Sequence, residues 1–342
     1  MGTYMINKLK RYFSDGINPL FYIGLIFVCL NFLGKGSVVL LAFCLIILAM
    51  NAHRVKIDFI GALLIIFGLF GFVKSLIFSY GINEGIKYFN YPLIYISGNV
   101  LIRKTIARDK FIKNLGFALF VGFTLHIFLD YLLTRKIGFS EYYRVFYSFW
   151  TQETVAVTLI GLLCSPIIAY SFYGIFLSRK PLIILGCIAS LALVIYINLL
   201  TATRTPIVLM VVVFIVMFLI YFLKSKSRNK LKFLLGVIAL FAIAIIMYIF
   251  DVFSIKTTIT NSSLFARIER EGLSTSRSQI TLFYLNNMFA YPFGGSYIHD
   301  LYGQSAHNYI QQIQDLIGII PMVIIIIVSV CGILSVFKLL KS

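Results

Sequence analysis

Residues 206–223 read PIVLMVVVFIVMFLIYFL, a run of 18 residues without a charged side chain. A helix needs about 20 predominantly apolar residues to cross a bilayer, so this run predicts a membrane-spanning helix. Comparable runs recur along the 342-residue chain, which is 60% hydrophobic and only 12% charged. Soluble domains carry about 25% charged residues. The sequence therefore predicts an all-α fold, a polytopic helical membrane protein.

About ten transmembrane helices are predicted, and the basic residues between them predict the orientation of the chain. Of the 30 Lys and Arg residues, 19 fall in one set of alternate loops and 10 in the other. Cytoplasmic loops are enriched in Lys and Arg, so both termini are predicted to be cytoplasmic. Residues 1–250 would then hold nine helices, 251–308 a large outer loop, and 309–342 the last helix and a cytoplasmic tail. The predicted spans are 20–34, 37–52, 57–79, 86–102, 111–133, 154–177, 182–200, 206–223, 233–250 and 309–337.

The net charge of +18 and the five cysteines exclude several function classes. Positive charge in short cytoplasmic loops explains the net charge better than nucleic-acid binding does, and no nucleic-acid-binding motif is present. All five cysteines fall inside apolar runs, without the spacing of a metal site or a redox pair. We therefore expect no nucleic-acid partner, no metal and no cofactor.

A long polar stretch, residues 262–318, interrupts the apolar pattern, and Arg277 is its first candidate site residue. Residues 276–279 read SRSQ, which has the form of a capping box and places Arg277 in the first turn of a helix. A cation there opposes the helix dipole. It suits a bound anion, because backbone N–H groups and a guanidinium can converge on a phosphate. The alternative is a solvated loop arginine.

His307 and Asn308 stand at the head of the last apolar run, after a turn signal at residues 292–295 (PFGG). Asn308 is predicted to cap the following helix. Histidine titrates near neutral pH, which suits a general base, although a lone interfacial histidine also has a common structural role. The outer loops have no paired acidic residues for a divalent ion, so phosphate binding would depend on arginines.

Three other outer features allow two interpretations each. Arg204, between two apolar runs, either faces a partner or cavity or extends to the surface. The aromatic-rich residues 138–152 are typical of an interfacial aromatic belt and also suit a sugar-stacking platform. His126 and Asp130 lie one helical turn apart, either as a relay or as ordinary interfacial polar residues.

Together, three segments resemble the O-antigen ligase/O-antigen polymerase family of bacterial envelope glycosyltransferases. Residues 201–204 (TATR), at the head of an apolar span, are similar to that family's outer (S/T)-x-(S/T)-R turn. Arg277, an apolar helix and residues 292–295 are similar to its arginine, helix and P-x-x-G loop. Residues 306–311 (AHNYIQ), with Gly318 further on, are similar to its H-N-x-(Y/F)-(L/I)-Q…G signature.

The resemblance implies a metal-independent, inverting glycosyltransferase in the bacterial inner (cytoplasmic) membrane, with an undecaprenyl-pyrophosphate-linked oligosaccharide as substrate. It assigns His307 the role of catalytic base, and Arg204 and Arg277 the binding of the donor pyrophosphate. Gln304 and Asn308 are candidates for acceptor contacts or for support of the catalytic residues. The lipid bilayer, a chain-length regulator and a flippase are the partners to consider.

Polymerisation of a surface polysaccharide, O-antigen of lipopolysaccharide or capsule, is the favoured activity. The chain is short and shows no appended domain for a different acceptor. An O-antigen ligase, which transfers the glycan to a lipid core or a protein, is the first alternative. A lipid-linked oligosaccharide flippase is the second, although no internal repeat is visible and the candidate residues share one predicted face. A scaffold of a polysaccharide-export complex is a further rival.

Overall fold

The computed structural model describes residues 17–79, 81–105, 107–138, 145–178, 180–224, 249–251, 255–262, 264–265, 277–304 and 308–341. Most of these residues are helical. The helices are α1 (Pro19–Cys29), α2 (Gly36–Met50), α3 (Phe59–Ile77), α4 (Ile82–Lys104), α5 (Arg108–Ile137), α6 (Val157–Leu177), α7 (Pro181–Thr201), α8 (Thr205–Lys224), α9 (Ile255–Thr260), α10 (Arg277–Asn287), α11 (Tyr297–Tyr302), α12 (Tyr309–Ile317) and α13 (Ile319–Lys341). Short 3₁₀ helices cover Phe32–Gly34 and Ala52–Arg54, and two strands are β1 (Phe146–Tyr147) and β2 (Thr154–Val155).

By length and composition, five of the described helices can cross a membrane. These are α3, α5 and α7, the Leu159–Leu177 part of α6, and the Thr205–Phe222 part of α8. The helices α1 and α2 and the Ile319–Ser335 part of α13 are apolar but shorter. The predicted helical membrane protein is confirmed at this level. The number of ten spans and the cytoplasmic termini stay predictions, and most of the predicted span 233–250 lies outside the described residues.

The chain divides into two compact units. The first contains Met1–Gly36 and Asp109–Leu273, and the second contains Ser37–Arg108 and Ser274–Ser342. In the first unit, α6 packs against α7 and α8. Its core lies among α5, α6 and α7 and includes the fully buried Cys164 and Val194. The antiparallel β1–β2 pair joins this core through Phe146, which is also fully buried.

The second unit is built on an antiparallel pair of helices, α3 and α4. Glycine permits their close approach, because a Cβ at Gly71 would lie 2.2 Å from the Tyr88 ring. The helices α12 and α13 both pack on α3. Leu64 and Phe67 of α3 form a buried core with residues of α12 and α13, including Ile317. The unit is therefore a helical hairpin covered by the last two helices.

The prediction of a single helix over 309–337 is wrong, because the chain breaks at Gly318. This residue has φ +105°, outside the range of a right-handed helix. Its N–H donates to the carbonyl oxygens of Gln314 (2.9 Å) and Ile313 (3.2 Å), which ends α12, and α13 begins at the next residue. The apolar pattern continues through the break, and for this reason hydropathy alone does not reveal it.

Candidate functional site

Arg277 is the first residue of α10, as the sequence predicts. The side chain of Arg277 is outside the described part of the structure, so only its backbone position is known. This position is in the first turn, where backbone N–H groups lack partners within the helix. The local condition for anion binding, a helix N-terminus carrying an arginine, is therefore present in the second unit.

Two glutamines of α12 bond to α10 and to the segment after it, and these contacts show the relative direction of the two helices. Nε2 of Gln311 donates to the carbonyl oxygen of Thr281 at 3.1 Å. One turn later, Nε2 of Gln314 donates to the carbonyl oxygens of Met288 (3.2 Å) and Tyr291 (3.1 Å), just beyond the end of α10. The earlier residue of α12, Gln311, thus bonds to α10 itself, and the later residue, Gln314, bonds to the segment that follows α10, so the two helices run parallel. The N-termini of α10 and α12 lie at the same end of the pair.

Asn308 caps α12, which confirms its predicted role at a helix start. Its side-chain Oδ1 accepts from the N–H of Ile310 at 2.9 Å. Gln304 is exposed, and its backbone carbonyl accepts from the Tyr284 hydroxyl of α10 at 3.0 Å. His307 lies outside the described residues. Arg277 thus begins α10, Gln304 lies on a segment held to α10 through Tyr284, and Asn308 caps the helix parallel to α10.

The opposite end of the pair is closed by the turn at residues 292–296. The N–H groups of Gly295 and Ser296 donate to the carbonyl oxygens of Leu316 (3.2 Å) and Asp315 (2.8 Å) of α12. The N–H of Ile319 donates to the carbonyl oxygen of Pro292 at 2.9 Å. The predicted P-x-x-G turn therefore docks against the break between α12 and α13, away from the N-termini that carry the candidate residues.

Asp315 strengthens this docking from within α12. Its Oδ1 accepts from the N–H groups of Ile298 (3.1 Å) and His299 (3.3 Å) in the first turn of α11. Only 5% of Asp315 is exposed. Burial raises the pKa of the Asp315 carboxyl above its ordinary value, although the two N–H groups lower the pKa in part. The carboxyl acts as a structural acceptor, a role that no sequence motif predicts.

Contacts with α3 and α4 place α12 along the hairpin. The hydroxyl of Tyr309, the first residue of α12, is hydrogen-bonded to the hydroxyl of Tyr91 in α4. The Tyr91 ring lies 5.3 Å from that of Phe67, near the middle of α3. At the other end, Nζ of Lys74, in the last turn of α3, lies 5.4 Å from the Phe293 ring. These contacts tie the start of α12 to α4 and place the Phe293 ring near the end of α3.

Gln311, the last residue of the AHNYIQ motif, carries a buried acceptor for which the sequence predicts no role. Because the Thr281 carbonyl can only accept, the side-chain atom that faces it must be Nε2, which leaves Oε1 on the other side. Gln311 is 7% exposed, and Oε1 has no hydrogen-bond donor among the described residues. Buried acceptors are normally satisfied. A hydroxyl or N–H from a ligand would satisfy this one.

In the first unit, Arg204 follows a buried polar turn. The helix α7 ends at Thr201, and Ala202 has a left-handed backbone (φ 52°). The hydroxyls of Thr201 and Thr203 are 3.0 Å apart, and the Thr203 hydroxyl also donates to the side-chain oxygen of Asn198. All four side chains of this turn are at most 7% exposed. The two threonines of the TATR motif therefore stabilise the turn, together with Asn198, which precedes the motif.

The Arg204 side chain is held at the edge of this turn. The backbone carbonyl oxygen of Arg204 accepts from the N–H of Val208 at 3.2 Å, in the first turn of α8. The residue is half-buried, and its Nε and Nη2 atoms are shielded from solvent. Two of the three guanidinium nitrogens are therefore shielded from solvent. This agrees better with a paired or cavity-facing arginine than with one that extends to the surface.

His126 and Asp130 form a buried pair, with Nε2 and Oδ2 3.3 Å apart and exposures of 7% and 1%. Each partner also holds a neighbouring segment. The other ring nitrogen of His126 lies 2.9 Å from the carbonyl oxygen of Cys29 at the end of α1. Oδ1 of Asp130 accepts from the N–H of Phe149 at 2.7 Å, between the two strands. These contacts give the pair a structural role in the first unit.

The described part of the aromatic segment, residues 145–152, is held by the same helices. The N–H of Tyr147 donates to Oγ1 of Thr134 at 2.9 Å. Nε1 of Trp150 donates to the carbonyl oxygen of Leu30 at 3.0 Å, and its ring lies 4.7 Å from that of Phe32. Residues 139–144 lie outside the described part. The aromatic belt and the sugar platform both stay predictions.

Among the described residues, no group of three or more His, Cys, Asp or Glu side chains could hold a metal ion. No protein-family model, curated protein or solved structure matches the chain.

Proposed function

We propose that this protein polymerises a surface polysaccharide at the outer face of a bacterial inner membrane. The substrate would be a glycan linked to undecaprenyl pyrophosphate, and the acceptor a second lipid-linked repeat unit. The proposal places both termini in the cytoplasm and includes about ten membrane-spanning helices. A flippase that delivers the repeat unit and a regulator of chain length are its proposed partners.

The observation that carries the proposal is the parallel arrangement of α10 and α12. Arg277 begins one helix, and Asn308, which follows His307 in sequence, caps the other. The hydrogen bonds of Gln311 and Gln314 hold the two N-termini at one end of the pair. Positive helix ends and an arginine favour a bound pyrophosphate. A histidine adjoining the same end suits proton removal from a nearby hydroxyl.

The proposed reaction is a single displacement at the anomeric carbon of the donor glycan. His307 takes the proton from the acceptor hydroxyl, whose oxygen forms the new bond to the anomeric carbon. The bond between that carbon and the pyrophosphate oxygen breaks, and undecaprenyl pyrophosphate leaves with the electron pair. The configuration at the carbon is inverted. Arg277 stabilises the negative charge that develops on the leaving oxygen.

Gln311 and Arg204 extend the proposal in separate ways. A sugar hydroxyl has the donor that Oε1 of Gln311 requires, and Gln311 lies one turn from Asn308 on α12. Arg204 has a proposed role in pyrophosphate binding from the resemblance of its motif. Arginine suits that role because it stays charged and can bind phosphate bidentately. Substitution of each residue tests its role independently.

The test uses cells in which the native gene is deleted and replaced by wild type, His307→Ala, Arg277→Ala or Arg204→Ala. Surface glycans are separated on a gel, and the abundance of each variant in the membrane is measured in parallel. His53→Ala is the matched control, because His53 is exposed and its described hydrogen bond is with the adjacent Arg54. We expect the control to give a normal ladder of polymer lengths.

The proposal predicts that the His307 and Arg277 variants transfer single repeat units but form no ladder, at normal abundance. Lipid-linked polymer that accumulates without transfer in the deleted strain would instead identify a ligase. A normal ladder from both variants would refute the assigned residues. In that case a transporter or a scaffold would be the better hypothesis.

A further inference from the structure

A basic cavity lies in the first unit, where the N-terminal end of α5 meets the end of α6 and the start of α7. Its volume is about 680 Å³. Lys110 and Lys113 of α5 and Lys180, which precedes α7, line it. Tyr173 and Ser178, whose side chains carry hydroxyl groups, also line it. Of the described residues that line the cavity, none is acidic, so it offers a concentration of positive charge to a ligand.

The same cavity also has apolar lining residues, and a second depression lies along the start of α7. Phe117, Leu177 and Leu182 line the apolar part of the basic cavity. Leu182 also lines the second depression, a groove of about 600 Å³ formed by residues of Pro181–Ile188 alone. Leu182 and Leu185 are 80% and 64% exposed. The basic cavity and the apolar groove therefore share Leu182, at the start of a membrane-spanning helix.

We propose that this cavity binds the phosphate headgroup of an anionic phospholipid, with an acyl chain along the groove of α7. The three lysines supply charge complementary to the phosphate, and the hydroxyls of Tyr173 and Ser178 supply hydrogen-bond donors. The groove explains why the ligand is a lipid, since a free phosphate would leave it empty. By the Lys and Arg distribution this is the face predicted to be cytoplasmic, where anionic lipids are common.

This inference does not depend on the proposed glycan chemistry, because it uses neither the α10–α12 pair nor Arg204. It predicts a lipid-dependent property of the purified full-length protein. Phosphatidylglycerol should bind with higher affinity than phosphatidylcholine, whose headgroup has no net charge. The bound lipid should stabilise the protein, since a ligand that binds only the folded state raises the unfolding temperature.

The experiment titrates the detergent-solubilised protein with phosphatidylglycerol, phosphatidylcholine or glycerol 3-phosphate and counts bound molecules by native mass spectrometry. The test variant is Lys110→Gln/Lys113→Gln/Lys180→Gln. The matched control is Lys56→Gln/Lys136→Gln/Lys256→Gln, which removes the same charge from exposed positions elsewhere. A lysine near an anionic lipid contributes about 1 kcal/mol, so the test variant should lose on the order of 100-fold in affinity.

We expect the control to bind phosphatidylglycerol like wild type, and glycerol 3-phosphate to bind much more weakly than the lipid. Equal affinity of wild type and test variant for phosphatidylglycerol would overturn the site, as would equal binding of both lipids. Glycerol 3-phosphate binding as tightly as the lipid would overturn the role of the groove. If the triple variant unfolds, the double variant Lys113→Gln/Lys180→Gln, at two exposed positions, should still lose on the order of 10-fold in affinity for phosphatidylglycerol.

Discussion

Gly318→Ala should destabilise the second unit by about 2–4 kcal/mol, because two separate costs add at this position. With φ +105° and ψ 177°, Gly318 lies in a backbone region that is nearly exclusive to glycine, where another residue costs about 1–3 kcal/mol. A Cβ would also lie 2.7 Å from the carbonyl oxygen of Pro292 and 3.1 Å from the carbonyl carbon of Phe293. The turn must then move away from Gly318, which breaks the hydrogen bond between Ile319 and Pro292 and costs about 1 kcal/mol more.

Two other glycines of the second unit separate these costs. Gly303 has φ +74° but no atom within 4 Å of a built Cβ, so alanine there meets only the backbone cost, about 1–2 kcal/mol. Gly332 lies inside α13 and is also open around a built Cβ. Alanine in a helix is favoured over glycine by about 0.5–1 kcal/mol, so Gly332→Ala should stabilise the protein.

Thermal unfolding of each purified protein in detergent, followed with a thiol-reactive dye, measures the order of stability of wild type and the three glycine variants. Four of the five cysteines, Cys29, Cys44, Cys164 and Cys187, are buried and become reactive on unfolding. We expect the unfolding temperature to fall from Gly332→Ala through wild type and Gly303→Ala to Gly318→Ala. If Gly318→Ala unfolds at the same temperature as Gly303→Ala, the tight docking of the turn against the helix break is refuted.

Four further substitutions test the polar contacts. Asp315→Asn keeps an acceptor for the N–H groups of α11. Because the pKa of the Asp315 carboxyl is raised in the folded state, wild-type stability should fall as the pH rises from about 4 through that pKa, and the unfolding temperature of the variant should rise relative to wild type. A difference in unfolding temperature that does not change with pH would contradict this. Gln311→Met should reduce polymer formation and loses one hydrogen bond to α10, whereas Gln314→Met loses two and should lower the unfolding temperature further; equal polymer formation by both variants would remove the special role of Gln311. Trp150→Phe loses the hydrogen bond to Leu30 and should cost about 1 kcal/mol in thermal unfolding, and no change would show that this bond does not stabilise the first unit.

Particular residues show which parts of the site were predictable. The SRSQ pattern predicts a helix start at Arg277, and an asparagine before an apolar run predicts a cap at Asn308; both predictions are confirmed. Caps depend on residues that are close in sequence, so their signals are local. Gln311 and Asp315 act on residues 30 and 17 positions away, respectively, and no local pattern reports such contacts.

By itself, the sequence determined that this is a helical membrane protein, because crossing a bilayer depends on the length and apolarity of each run and on hydrogen bonds made within one helix. It also determined where α10 and α12 begin. Only the tertiary structure decided that the last apolar run breaks at Gly318, since that break needs a positive φ and the partners Pro292 and Phe293 from a distant turn. The parallel approach of α10 and α12 was decided in the same way, by contacts between segments that sequence periodicity treats as independent.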